Sequence, residues 1–231
     1  MINFKVLITK EIEPALLEKA KQELELVQIP FISISACDEK ENVTEIANTT
    51  ASVVFTSKNA VRIVSDLLNG RETNWKIYCT DGATLQQVKD CFGEARLSGT
   101  AQNAEALASL IIETNTDTEI VFFCGNKRRD ELPDQLKEEN IEVKEVVVYE
   151  TKLSPEEISG HFDGIAFFSP SAVYSYFSVN VADDKTIFFS IGSTTSESLK
   201  KFAGNTIITC EKASEENMIA TILAYIKTND E

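Results

Sequence analysis

The chain has 231 residues, with 22 Lys and Arg against 37 Asp and Glu and a formal net charge of −15. That length suits one large domain or two of about 110 residues, and the acidic balance argues against nucleic acid and acidic lipid as partners, because neutralising phosphates takes an excess of cations. A single histidine, His161, excludes multi-histidine metal sites, and nine glycines with no G-x-G pair exclude the dinucleotide and Walker phosphate loops.

No run of about 18 apolar residues is present, so no segment is expected to span a membrane. The opening MINFKVLITKEIEP reads as a strand followed by charges rather than a secretion signal. Five cysteines without CxxC spacing read as reduced thiols, with Cys79 and Cys124 in the core, and imply a cytoplasmic protein.

In chain order, strand-like runs at Phe4–Ile8 and Glu25–Ile29 flank a helix whose apolar face is Leu16, Leu17, Ala20 and Leu24. Val53-Val54-Phe55 leads through Thr56-Ser57-Lys58-Asn59 into a helix that buries Ala60, Val61, Val64, Leu67 and Leu68. Lys76–Cys79 leads through Thr80-Asp81-Gly82-Ala83-Thr84 into a helix ending near Gly93, and Ala95–Ser98 is a short strand. Asn103 caps a helix bearing Leu107, Ala108 and Ile111.

The stretch Ile120 to Thr151 organises the rest. The apolar run Ile120–Cys124 is too short and too rich in β-branched and aromatic residues for a helix. Gly125-Asn126 then turns into the cations Lys127, Arg128 and Arg129, followed by a helix from about Asp130 to Asn140 with Pro133 in its first turn, and by a strand over Val143–Tyr149. A basic loop between a strand end and a helix start is either an anion site, through free N–H groups and the helix dipole, or a solvated turn.

Beyond it, Ile165–Phe168 precedes Ser169-Pro170-Ser171-Ala172, Ile187–Ile191 precedes Gly192-Ser193-Thr194-Thr195, and Thr206–Thr209 precedes a final helix with Met218, Ile219, Ile222, Leu223 and Ile226. Alternating strands and helices predict parallel α/β sheets. His161 falls in a polar loop before the strand at Ile165.

The chain also repeats itself in rotated order. VVFTSKNAV at Val53–Val61 resembles IAFFSPSAV at Ile165–Val173, and YCTDGAT at Tyr78–Thr84 resembles FSIGSTT at Phe189–Thr195, both offset by 111 or 112 residues. VLITKEIEPALL near the start then matches IVFFCGNKRRDELPDQL, with Pro14 answering Pro133. One half completes its sheet only with the N-terminal segment. The expected fold is therefore two similar parallel-sheet α/β domains, flavodoxin-like, one inserted into the other. The boundaries follow as 1–29 plus 154–231 for the discontinuous domain and 37–145 for the inserted one. Linker strands at 30–36 and 146–153 pair as a two-stranded β-ladder.

Ligands of such sheets bind at the carboxyl ends of the strands. Those ends carry the hydroxyl and amide loops named above, with cations at Lys10, Lys58, Lys127, Arg128 and Arg129. Helix capping explains any single loop. A duplicated set with cations suits a large molecule bearing several carboxylates.

FTSKNAV, GNKRRDELPDQLKEENIEVKEVVVYET, FFSPSAV and IGSTTSESL, in this order and over essentially the whole chain, resemble the uroporphyrinogen-III synthase family of tetrapyrrole and heme biosynthesis. The resemblance implies two α/β domains joined by a β-ladder, acting as a monomer. It implies a lyase that needs neither metal nor organic cofactor and closes the linear tetrapyrrole hydroxymethylbilane, in an inter-domain cleft, to uroporphyrinogen III. The last ring is inverted through a spiro intermediate. It further implies Tyr149 as the catalytic proton donor. The substrate-binding set it implies is Thr56, Ser57, Lys58, Asn59, Gly125, Asn126, Lys127, Arg128, Ser169, Pro170, Ser171, Ala172, Gly192, Thr194 and Thr195. Asp81 departs from the family's usual Gly, which separates its loop from the rest. A two-domain solute-binding or sensing module without turnover would share most of these features.

Overall fold

The computed structural model describes residues 4–229. Met1 to Asn3 and Asp230 and Glu231, assigned above to the discontinuous domain, lie outside the described residues. The chain divides into two compact units, Met1–Ser33 with Lys152–Glu231, and Ile34–Thr151. The elements begin with β1 (Lys5–Ile8), α1 (Pro14–Lys21), β2 (Glu25–Gln28), β3 (Ile32–Ala36), α2 (Lys40–Ala47), β4 (Ser52–Phe55), α3 (Lys58–Leu68), β5 (Lys76–Thr80) and α4 (Ala83–Phe92). They continue with β6 (Leu97–Ala101), α5 (Ala104–Thr114), β7 (Glu119–Gly125), α6 (Glu131–Glu138) and β8 (Glu142–Leu153). The last are β9 (Gly164–Phe167), α7 (Pro170–Phe177), β10 (Ile187–Ser190), α8 (Ser193–Leu199), β11 (Ile207–Thr209) and α9 (Glu215–Asn229).

In the first unit the strands run β11-β10-β9-β1-β2, with every neighbouring pair parallel. In the second they run β3-β8-β7-β4-β5-β6, with β4 to β8 paired in parallel. Matching β9, β10, β11, β1 and β2 to β4, β5, β6, β7 and β8 reproduces one order from the other strand for strand. Numbered along the chain, the first sheet has the flavodoxin-like order 2-1-3-4-5. The second is its circular permutation.

Each sheet is buried on both faces. Val6, Ile8, Ala166 and Phe189 point to the face covered by α1 and α9, while Leu7, Ile165, Phe167 and Phe188 point to α7 and α8. In the other unit Val53, Phe55, Ile77 and Phe123 face α2, α3 and α4, and Val54, Tyr78 and Phe122 face α5 and α6. Strands buried on both faces need unbroken apolar sequence rather than alternation, which is why Val53-Val54-Phe55 and Ile120–Phe123 carry it. Trp75 is 2 % exposed, packs at a tilt against the Phe92 and Phe123 rings, and donates its indole N–H to the Ile46 carbonyl at 3.1 Å. Its burial is worth about 3 kcal/mol.

β3 is the neighbour of β8. Ser154 N–H bonds the Phe31 carbonyl and Cys37 N–H the Val148 carbonyl, each at 2.9 Å, so numbering rises along one strand as it falls along the other and the pair is antiparallel.

The structure adjusts several elements. Helix α2 arises in a stretch read above without an element; its polar sequence buries only Val43, Ile46 and Ala47. A single 3-10 turn occupies Glu94–Arg96, so β6 starts at Leu97, two residues later than expected. β8 runs unbroken from Glu142 to Leu153, so Val146–Tyr149 pairs with β7 as part of the main sheet before the strand runs on.

Candidate functional site

The point where strand order reverses lies between β1 and β9 in the first unit and between β4 and β7 in the second. Loops there diverge to opposite faces and leave a crevice at the strand ends, where ligands of this architecture bind.

In the second unit the crevice is built by Thr56-Ser57 after β4 and Gly125 to Arg129 after β7. Ser57 is the N-cap of α3, and its Oγ accepts the Asn59 backbone N–H at 3.2 Å. Tyr149 reaches the same oxygen, its phenol donating to Ser57 Oγ at 3.0 Å. That meeting depends on a register shift. Cys124 pairs with Val147 but Gly125 pairs with Tyr149, so Val148 is an extra residue. Regular alternation would send Val146 and Val148 to the α3 face and Tyr149 to the other. The shift puts Val148 and Tyr149 both on the α3 side, where Tyr149 packs against that core.

Gly125 makes room for the ring. A Cβ there would lie 2.4 Å from Cζ of Tyr149 and 2.8 Å from its hydroxyl. The backbone is pinned as well, since Asn126 N–H bonds the Tyr149 carbonyl at 3.1 Å and Asn126 Oδ1 accepts Thr151 N–H at 2.8 Å. Burial pushes the Tyr149 phenol above its ordinary range, partly offset by the Ser57 bond, so it is protonated at neutral pH.

The cations divide by role. Arg128 is half-buried and ion-paired through Nε to Glu145 and through a second nitrogen to Asp130, which raises its pKa further. Arg129 sits 3.7 Å from Glu131 at the surface. Lys127 is exposed and has no ion-pair partner among the described residues. Sequence reasoning groups Arg128 with Lys127 as ligands; the geometry makes Arg128 the residue engaged within the protein. Lys58 is exposed and Asn59 half-buried at the start of α3.

In the first unit Thr9 donates its hydroxyl to the Ala166 carbonyl at 2.8 Å, and Lys10 pairs with Glu215 at 2.6 Å with its ammonium 5.3 Å from the Phe168 ring. Ser169 caps α7 by accepting the Ala172 N–H at 3.2 Å, and Pro170 at the first helical position fits its missing N–H. Among the described residues the Ser171 hydroxyl and N–H have no hydrogen-bond acceptor, while Ala172 itself is buried. After β10, Gly192 precedes α8 with extended backbone, and a Cβ added there would meet nothing within 4 Å. Thr194 is half-buried, and Thr195 is 2 % exposed with its side chain inside the unit. Asp81 is exposed beside Gly82, whose φ of 73° does require glycine.

A cavity of about 640 Å³ lies elsewhere in the second unit, lined by Ser52, Asp117, Glu119 and Lys144 among others. It opens at the amino ends of β4 and β7, the wrong edge for ligands of a parallel sheet. His161 is exposed in its loop, near Asp163 and Asp183. Among the described residues no helix is long and apolar enough to cross a membrane, and no three His, Cys, Asp or Glu side chains group as metal ligands.

The family model for uroporphyrinogen-III synthase HemD matches residues 15–220. The chain belongs to the uroporphyrinogen-III synthase family. Solved structures share the fold. A mutant uroporphyrinogen III synthase from the extremely thermophilic bacterium Thermus thermophilus aligns with a TM-score of 0.67 at 13 % identity, covering 98 % of this chain and 99 % of that one. The synthetase from Helicobacter pylori aligns at 0.63 and 18 % identity, covering 96 % and 99 %.

Proposed function

We propose that the protein is a lyase that cyclises hydroxymethylbilane to uroporphyrinogen III with inversion of the last ring. What carries the reading is the switch-point arrangement of Tyr149, Ser57 and Gly125 in a chain that belongs to this family.

Tyr149 gives its proton to the terminal hydroxyl, which leaves as water with the carbon–oxygen electron pair. The electrophilic azafulvene that results bonds to the substituted carbon of the last pyrrole and forms a spiro intermediate. That intermediate fragments and recloses with the ring turned over, releasing a proton that restores the phenol. Direct closure without the enzyme would give the uninverted isomer. Most of the catalytic effect is therefore assigned to holding the substrate in the fold that leads to the spiro route, with proton donation second.

Donors at the α3 start, Asn126 and Lys127 are assigned to substrate carboxylates, as are the Ser169–Ser171 and Gly192–Thr194 loops of the other unit. Arg128 supports the loop. Incubation with hydroxymethylbilane, followed by separation of the oxidised products, should yield isomer III. Isomer I alone would overturn the reading and leave a ligand-binding module without turnover.

A further inference from the structure

We propose that Ser57 is a positioning residue for Tyr149: it holds the phenol in place and turns its hydroxyl to donate to the phenolate as the proton departs. This rests on Tyr149 being the proton donor.

A serine hydroxyl has one hydrogen to donate and two lone pairs to accept with. Ser57 Oγ accepts from the Asn59 N–H at 3.2 Å and from the Tyr149 O–H at 3.0 Å, so both lone pairs are engaged. Among the described residues its own hydrogen has no acceptor. The spare donor stands beside the oxygen on which negative charge develops. The phenol first turns its one hydrogen from Ser57 Oγ to the departing hydroxyl. As the Tyr149 O–H bond breaks and a new O–H bond forms there, the phenolate gains a lone pair. Rotation about the Ser57 Cβ–Oγ bond then turns the spare hydrogen to it.

The cap to Asn59 uses a lone pair and survives the turn. Hydrogen bonds to a charged acceptor are about twice as strong as neutral ones, so the contact strengthens as the proton leaves, which is the condition for accelerating the step. The proton released when the macrocycle regains its aromatic pyrroles returns to the phenolate and resets the pair.

Among the described residues nothing else near the phenol does this work. The titratable neighbour acting on it is the Cys124 thiol, itself pushed up to about 11 by burial and by Glu145, and so neutral. Gly125 and the register shift confine the ring but offer no donor to its oxygen.

Capping alone would also place a serine here. Ser57→Gly separates the roles, because glycine caps nearly as well but has no hydroxyl; Ser57→Thr keeps both. In each background, the alkaline rise of near-ultraviolet phenolate absorbance minus that of the matching Tyr149→Phe variant isolates Tyr149. The expected result is a midpoint moved to higher pH in Ser57→Gly and restored in Ser57→Thr. With it, kcat falls about 10-fold in Ser57→Gly while KM stays within about 2-fold. An unmoved midpoint in Ser57→Gly overturns the role of Ser57, whatever the wild type makes from hydroxymethylbilane. A moved midpoint in a protein that makes no isomer III overturns the functional reading instead.

Discussion

Tyr149 lies so close over Gly125 that any side chain there would collide with it in place, since a Cβ at Gly125 would fall 2.4 Å from the ring. Gly125→Ala must push the ring aside and break the 3.0 Å bond to Ser57. The ring end can swing, so stability should fall by only about 1 kcal/mol, whereas turnover should fall about as far as on removing the phenol. In a Tyr149→Phe background the same substitution should cost little further rate. Steady-state rates of the four proteins in a double-mutant cycle check this, and fully additive losses would separate the two residues.

Tyr149→Phe keeps the buried ring and removes only the hydroxyl. The rate of isomer III formation should drop about 10- to 100-fold with the unfolding midpoint nearly unchanged. An unaltered rate would make Tyr149 a packing residue.

Lys127 and Arg128 are adjacent but should respond differently. Arg128→Ala leaves half-buried Glu145 with only the long 3.8 Å pairing to Lys137 and should lower stability by about 1 kcal/mol in urea unfolding. Lys127→Ala should leave stability alone and raise KM with kcat unchanged, as loss of uniform carboxylate binding requires. A KM effect confined to Arg128→Ala would reverse the assignment.

Asp117 tests the electrostatics of the opposite edge. The Ser52 hydroxyl and then Lys76 hold its carboxyl below the ordinary range. A depressed folded pKa contributes stability above the unfolded pKa, and that contribution is lost as pH falls through the folded value. Asp117→Asn should therefore lower the thermal midpoint at neutral pH, and the gap should close at pH values below about 4. Thermal unfolding across that window checks the sign.

The duplicated fold was legible because strands buried on both faces announce themselves as apolar runs, and because Pro14 and Pro133 mark equivalent helix starts. Helix α2 was missed although Val43, Ile46 and Ala47 have helical spacing, since its other positions are polar or charged. The donor loops were visible as capping residues. What they do was not. The partner of Arg128 lies 17 residues away on another strand, and the choice between Arg128 and Arg129 is made there. The extra residue at Val148, which brings Tyr149 round to Ser57, leaves no mark in the run VVVYET, where every residue suits a strand in either register.

The most direct test is the isomer composition of product made from enzymatically prepared hydroxymethylbilane. The account predicts that wild-type protein yields isomer III, and that Tyr149→Phe yields it more slowly with isomer I accumulating from unassisted closure. Isomer I alone from the wild type, at the rate seen without protein, would contradict it.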